Sequence, residues 1–362
     1  MEKIRIMNSE YMQWAKENVH ITHNLATSGL MNYPHPLSDL STQSVEISGD
    51  DYYGYEPLVD AIAARYGITP EMIFTTLGSS MANYITMALL LETGDEVVIE
   101  QPTYELLLST AEHLGAVLRR FPRRLENEYK IDPADVRSAV TDKTKLIILT
   151  NLHNPSSALI DQATLKEIGT TAQSVGAYVL VDEVYLESVF SHSPRSSIHL
   201  SDRFIVTSSL TKVYGLSGLR CGWVLAQPDI IKRMYRLSDL MYVKHAFSAE
   251  QLSVNAFRHL SEIQSWARSI LEENRPILAD FLKKRTEFDA YLPQFGTVVF
   301  PRFKPTTVEI LNTILIKKYD TIVTPGRFFE MPDHLRIGYG LKPEIFREGL
   351  RRLGEALDHL KK

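Results

Sequence analysis

The chain has 362 residues, 44% of them hydrophobic, with 39 Lys and Arg against 44 Asp and Glu for a formal net charge of −5. That length can bury a large core and points to two domains rather than one, and the lack of a basic surplus argues against a general nucleic-acid binder, which needs cations to neutralise phosphates. The single cysteine, Cys221, excludes an internal disulfide framework and a cysteine-based zinc cluster, suits a reducing cytoplasm, and reads as a packed strand residue.

In chain order, the start Met1-Glu2-Lys3-Ile4-Arg5-Ile6 lacks the apolar core of a signal peptide, and no uncharged stretch reaches the length of a membrane span; a soluble, cytoplasmic protein is expected. A helix is predicted at 57–66, after the tyrosine-rich segment Gly49-Asp50-Asp51-Tyr52-Tyr53-Gly54-Tyr55. A strand at 72–76 runs through Gly78-Ser79-Ser80 into a helix at 80–91. The next strand, 96–100, leads through Gln101-Pro102-Thr103-Tyr104 into a helix at 104–114, and a third follows at 117–121. The doublets Arg119-Arg120 and Arg123-Arg124 read as a solvated face. Strands at 145–150, 177–182, 204–208 and 221–226 follow, with a helix at 162–175. Seven apolar runs alternating with helices predict an α/β fold with a largely parallel sheet. Beyond 229, long helical stretches, including 249–285, give way to short strands near 297–300 and 335–337, which predicts a smaller α+β domain. No internal repeat or low-complexity tract interrupts the pattern.

Chemistry gathers where these strands end. Lys212 follows the apolar run 204–207, where partial burial would lower its pKa and free a neutral amine for a Schiff base. Arg220 can hold a phosphate bidentately, with Ser209 adding a hydroxyl, and Gly215, Gly218 and Gly222 permit a tight loop. Taken alone, Lys212 could equally be a turn lysine. Asp182 closes the strand 177–182, at the end where open α/β sheets place ligands; a loop cap is its alternative. In Asn151-Leu152-His153-Asn154-Pro155 the proline holds Asn154 extended, which favours Asn154 over Asn151 as the functional amide and leaves His153 as a loop residue. Gly78, Ser79 and Ser80 stand at a helix start, which suits an anion, although a serine there also serves as an ordinary N-cap. Tyr104 can lay its ring over a planar ligand or be structural.

Ser209-Leu210-Thr211-Lys212 followed by Gly215-Leu216-Ser217-Gly218-Leu219-Arg220-Cys221-Gly222 resembles the cofactor segment of the fold-type I pyridoxal-phosphate enzymes, and among them the class I/II aminotransferases, where Ser-x-x-Lys precedes Gly-x-x-Gly-x-Arg-x-Gly. Matches continue in the family's order from about Gly29 to Arg336, with Pro325-Gly326-Arg327-Phe328-Phe329 and Arg336-Ile337 near the end. The resemblance implies a seven-stranded, mostly parallel sheet in a large domain over 45–245, and a discontinuous small domain from 1–44 and 246–362. It implies pyridoxal 5'-phosphate bound to Lys212, which also carries the substrate proton, with Asp182 facing the pyridine nitrogen and Tyr185 and Asn154 on the phenolic oxygen. Gly78, Ser79, Ser80, Ser209 and Arg220 would hold the phosphate and Tyr104 would cover the ring. Arg336, with its planar fork, would clamp the substrate α-carboxylate, helped by the Gly29 backbone, whereas Arg327 would be a loop or surface charge; an ordinary turn glycine is the alternative for Gly29. No metal is implied. A homodimer is implied, in which Tyr52 or Tyr53 reaches the neighbouring subunit's phosphate.

Two departures stand out. The family's Asn-Pro-Thr-Gly is Asn154-Pro155-Ser156-Ser157 here, and the tyrosine loop is shorter than usual. The expected reaction is amino transfer between an amino acid and a 2-oxo acid. β-Elimination, racemisation or amino-acid cyclisation use the same cofactor contacts, so those contacts do not decide among them. A catalytically silent, ligand-sensing or regulatory domain is the alternative from another class. It would be expected to carry a DNA-binding extension, and only about 25 residues precede the family-like region, with no basic helix-turn-helix pattern among them. Neither Gly-x-Gly-x-x-Gly nor Gly-Lys-Ser/Thr occurs, which sets aside nicotinamide and nucleotide-hydrolysing readings.

Overall fold

In the computed structural model, which describes residues 6–36, 44–51 and 53–361, the seven apolar runs form one sheet. Its strands are β1 (Ile73–Leu77), β2 (Glu96–Gln101), β3 (Val117–Pro122), β4 (Thr144–Thr150), β5 (Tyr178–Asp182), β6 (Phe204–Ser209) and β7 (Cys221–Leu225). Every boundary falls within one residue of the sequence expectation. The spatial order is β1-β7-β6-β5-β4-β2-β3. All neighbours are parallel except β7, which runs antiparallel to both β1 and β6. Strands β4 to β6 are buried almost throughout, as their Val- and Ile-rich runs require when helices cover both faces of a parallel sheet.

The helices are α1 (Glu10–Glu17), α2 (Glu56–Tyr66), α3 (Ser79–Leu90), α4 (Glu105–His113), α5 (Pro133–Ala139), α6 (Gln162–Ser174), α7 (Pro228–Ser238), α8 (Phe247–Arg258), α9 (Leu260–Lys283), α10 (Val308–Tyr319) and α11 (Pro343–Leu360). On one sheet face Ala82, Ile85, Leu107 and Met234 pack on Val97, Ile99 and Ile148. On the other, Val136, Leu165 and Ile168 pack on Val98, Ile147 and Val179. Helix α5, short and absent from the sequence expectation, starts at Pro133 with the Asp132 carboxylate accepting from the Ala134 N–H at 2.8 Å, a standard N-cap. The helical stretch expected over 249–285 is two helices meeting at His259. Of these, α8 sends Val254 into a core with Leu58, Ile62 and Trp223 beside the large sheet.

A separate core joins Leu25 and Leu30 from the chain start to Leu271 and Leu278 of α9, Leu311 and Leu315 of α10, and Phe346 and Leu353 of α11. Three short strands sit on it: β8 (Val298–Val299), β9 (Thr324–Pro325) and β10 (Leu335–Gly338), with β10 central and antiparallel to both others. This places Arg336, on β10, opposite Thr324 and in contact with Asn154, in the loop after β4.

The solvated-face reading fails for Arg123. Its side chain is fully buried and pairs with Glu100 at 2.8 Å. Glu100 lies near the end of β2, where burial raises its carboxyl pKa and Arg123 opposes the rise; its other oxygen accepts from the Thr150 N–H at 2.8 Å. A buried carboxylate at this strand end needs a counter-charge, and Arg123 supplies it from the loop after β3.

Candidate active site

The carboxyl ends of β4, β5 and β6 open into a cavity of about 410 Å³. Its lining includes Gly29, Ser79, Ser80, Tyr104, Asn154 and Asp182, and also Tyr185, Lys212 and Arg220. Nine expected site residues therefore meet in one place. Gly78 lies directly against it through Arg220, and Arg336 stands behind Asn154. Ser209 and Tyr53 are placed elsewhere.

Lys212 follows β6 on an irregular loop held by the Leu30 N–H, which donates to the Lys212 carbonyl at 2.8 Å. Its Nζ donates to Ser28 Oγ at 2.9 Å. Burial pushes the amine pKa down to about 8, with the charges of Arg336 and Arg220 acting in the same direction and Asp182 opposing them. The result is an amine that is partly neutral near physiological pH, the form needed to attack a carbonyl carbon. Gly29 packs on this side chain: a Cβ there would lie 3.0 Å from Lys212 Cδ.

Asp182 closes β5, and no cation among the described residues forms an ion pair with it. Its Oδ2 accepts from Asn83 Nδ2 at 2.8 Å and its Oδ1 from the Val184 N–H at 3.0 Å. Asn83 is itself oriented by the Thr207 hydroxyl, which donates to Asn83 Oδ1 at 2.6 Å. Burial raises the carboxyl to about 6, while the Asn83 and Val184 hydrogen bonds and Lys212 pull it down. It is therefore mostly ionised at neutral pH, an oriented anion aimed into the cavity.

The anion-receiving end lies opposite. Ser79 and Ser80 open α3, with Gly78 as N-cap at φ +84°. Arg220 donates to the Leu77 carbonyl at 3.0 Å and the Ser217 carbonyl at 3.4 Å, and no carboxylate among the described residues pairs with it. A Cβ on Gly78 would lie 2.6 Å from the Arg220 guanidinium, and one on Gly222 would lie 2.4 Å from the Gly78 carbonyl carbon. The glycines of the Arg-x-Gly segment thus let β7 cross the start of α3 at backbone contact. Gly222→Ala is expected to cost about 1–3 kcal/mol through overpacking against rigid backbone. Thermal unfolding should show the loss, together with weakened anion binding at the α3 start.

Arg336 is fully buried. It donates to Asn154 Oδ1 at 2.9 Å, to the Tyr11 hydroxyl at 2.7 Å and to the Ala26 carbonyl at 3.1 Å, while its Nε has no partner. The Asn154 N–H donates to Thr150 Oγ1 at 3.0 Å, and the Thr150 hydroxyl donates to Glu100 at 2.5 Å, so the Arg123–Glu100 pair braces the loop that presents Asn154. His153 bridges the Pro102 carbonyl at 2.9 Å and Ser156 Oγ at 2.6 Å, and burial lowers its pKa well below the ordinary histidine value; it is a neutral loop brace. Ser157 adopts φ +60° and donates to the Val298 carbonyl at 2.9 Å. A Cβ on Gly296 would meet its Oγ at 2.4 Å, so the serine standing at the family's glycine position is accommodated by a glycine facing it.

The Tyr185 hydroxyl is buried, and burial raises its pKa while the Arg336 charge and the neighbouring Ser28 side chain oppose the rise. Tyr104 meets Tyr11 edge to face with ring centroids 5.7 Å apart. Ser209 is buried and accepts from the Thr211 N–H at 3.3 Å; Thr211, not Ser209, lines the cavity. Tyr53 is half-exposed, outside its own chain's cavity, stacked edge-on against Tyr235 at 5.3 Å and under Arg236 at 4.4 Å. Tyr52 lies outside the described residues. Asn83, Ser28 and Tyr11 are site contacts that the sequence reading left out.

A family model described as aminotransferase class I and II matches residues 38–353. The chain belongs to that family. Capreomycidine synthase of Streptomyces vinaceus is 30% identical over 92% of this chain and 89% of its own length. Aspartate aminotransferase of Pyrococcus horikoshii is 27% identical over 84% of this chain and 80% of its own. A solved structure of a PLP-dependent aminotransferase from Streptococcus suis superposes with a TM-score of 0.91 at 26% identity, covering 99% of this chain and 100% of that one. The protein is therefore an enzyme of the pyridoxal-phosphate aminotransferase family, with the family's fold and pyridoxal 5'-phosphate as its cofactor.

The residues present fit that group. The partly neutral Lys212 amine suits the aldehyde carbon, and the acid-free Arg220 beside the α3 start suits a phosphate dianion. The Asp182 carboxylate, with no cation paired to it among the described residues, suits a protonated ring nitrogen, and the buried Tyr185 hydroxyl that lines the cavity suits an oxygen on the ring. When bound, the cofactor supplies an electron sink for the pair released at a substrate α-carbon.

Proposed function

We propose that this enzyme transfers an amino group between an amino acid and a 2-oxo acid. The observation that carries the reading is the convergence of Lys212, Asp182 and the Arg336–Asn154 pair on one cavity. In this reading Lys212 would anchor the cofactor, and its Nζ, when free, would act as the base that moves the proton from the substrate α-carbon. Ser28 orients the Lys212 amine. Arg336, held by Tyr11, Ala26 and Asn154, fixes the α-carboxylate and so sets which α-bond faces the ring. Tyr104 covers the site and helps to exclude water.

A second reading, ring formation from an amino acid with the same cofactor, is favoured by the 30% identity to capreomycidine synthase. The test is to incubate the loaded enzyme with a panel of L-amino acids and either pyruvate or 2-oxoglutarate. Amino transfer yields alanine or glutamate from the acceptor and a pyridoxamine-form absorbance when the acceptor is omitted. Cyclisation yields a ring product, leaves the acceptor unchanged and counts against the first reading.

We infer that the protein works as a homodimer in the cytoplasm. No helix among the described residues is long and apolar enough to cross a membrane. Ile47, Leu240 and Val243 are exposed at 91%, 84% and 64%, apolar surface that a second copy would cover. Light scattering should give twice the chain mass, and a monomer would oppose the inference.

A further inference from the structure

We propose that the cavity selects amino acids with an uncharged, extended side chain, such as leucine, methionine and phenylalanine, over aspartate, glutamate, lysine and arginine. The proposal rests on the reading that Arg336 holds the α-carboxylate and Lys212 marks the reacting carbon. With the phosphate end at Ser79, Ser80 and Arg220, the ring floor at Asp182 and the carboxylate corner at Arg336 and Asn154, the walls left for a substrate side chain include helix α1, beside the uncharged Ala26, Thr27, Leu30 and Ile322.

That helix sorts its residues by charge. Tyr11, Met12, Trp14, Ala15, Asn18 and Val19, from α1 and the two residues after it, line the cavity, whereas Glu10, Lys16 and Glu17 do not. An amphipathic helix normally turns its apolar stripe onto a packed core; here Tyr11, Met12 and Trp14 pack on Phe328 and Phe329 and also line the cavity. The amide on this face, Asn18, donates to the Trp14 carbonyl at 2.8 Å, which turns its donor group inward to the helix.

The charges around the wall are already committed. Among the lining residues the cations are Lys212 and Arg220 and the acid is Asp182, all at the cofactor end. Outside the wall, the Arg327 guanidinium is held by Glu10 at 3.6 Å and Glu309 at 3.4 Å and lies 4.0 Å from the Phe328 ring centroid. A substrate carboxylate, ammonium or guanidinium placed against α1 would lose water without gaining a counter-charge from the described residues. An alkyl, thioether or aromatic side chain would gain contact with Trp14, Met12 and Val19.

The test uses the cofactor-loaded enzyme and α-methyl amino acids, which lack the α-hydrogen and bind without completing amino transfer. Calorimetry should rank α-methylphenylalanine and α-methylleucine at least about tenfold tighter than α-methylaspartate and α-methylarginine, a factor of ten being the smallest difference that one unpaired charge should produce. In Ala15→Arg, α-methylaspartate should bind at least about tenfold more tightly than in the parent and the neutral analogues more weakly, with an unchanged circular dichroism spectrum. Equal or tighter binding of a charged analogue by the parent enzyme overturns the proposal, including where a second subunit supplies the charge. So does failure to bind any of the four. The parent ranking decides even if Ala15→Arg does not fold. Because binding is read, a lack of amino transfer to 2-oxo acids would count against the proposed reaction and leave this selectivity standing.

Discussion

Lys212→Ala is expected to give a folded protein that retains no pyridoxal 5'-phosphate through a borohydride-reducible bond and loses amino-group chemistry by roughly 10³-fold or more. The backbone is kept: the Lys212 carbonyl still accepts from Leu30, and the side chain ends in a cavity, so its removal leaves space that water can enter. The loss is chemical. With its pKa pushed down to about 8, roughly a quarter of the Lys212 amine is neutral at pH 7.5, against about one in a thousand for an ordinary lysine. No alanine supplies that amine. In the cofactor-free parent protein, the rate of covalent cofactor attachment should rise with pH and level off above about 8, the sign expected for an attacking neutral amine. Reduction followed by peptide mapping should place the label on Lys212. A label on another lysine, or a rate still climbing towards pH 10.5, would show that Lys212 is not the anchor in the state described.

The two residues central to this chemistry were readable because local pattern and topology agree. Lys212 and Asp182 follow or end apolar runs, and such strand ends collect at one edge of a parallel sheet. The strands themselves were readable because helices cover both faces, which makes each run continuously apolar. Asn83 was hidden for the opposite reason. In Met81-Ala82-Asn83-Tyr84-Ile85 it reads as an ordinary helical residue, and its partners, Asp182 and Thr207, are brought to it only by the order of β5 and β6 in the sheet. A polar residue on the buried face of a helix was the available signal. Arg123 was misjudged because its burial depends on Glu100, near the end of the neighbouring strand β2. Ser157 could be marked as a departure from the family pattern, but the compensating Gly296 is far away in sequence and becomes visible only where the two loops touch. Tyr11 lies on a helix for which no expectation was made, so its contact with Arg336 had no basis in the local pattern.

Asp182→Asn should slow proton transfer at the substrate α-carbon by about 10²-fold or more while changing substrate affinity little. In the proposed role of Asp182, the substitution would remove the negative charge that favours a proton on the ring nitrogen, but would leave Arg336 and its partners untouched. It also disturbs geometry, because Asp182 accepts two hydrogen bonds, from Asn83 and from the Val184 N–H, on different oxygens. An asparagine offers one acceptor oxygen, so one of those donors would face an amide NH₂. Asn83→Leu separates the two effects. It keeps the carboxylate and the Val184 hydrogen bond, and removes the donor that aims Oδ2. Losing that bond should also raise the Asp182 pKa above about 6, since the Asn83 amide is the largest influence opposing desolvation. If charge dominates, Asn83→Leu should retain most of the rate at pH 8 and lose it progressively as the pH falls through the raised pKa, whereas Asp182→Asn should be slow at every pH. Single-turnover absorbance measurements across pH 5.5–9 would separate the cases. Equal, pH-independent losses in both variants would show that orientation, rather than charge, is what Asp182 contributes.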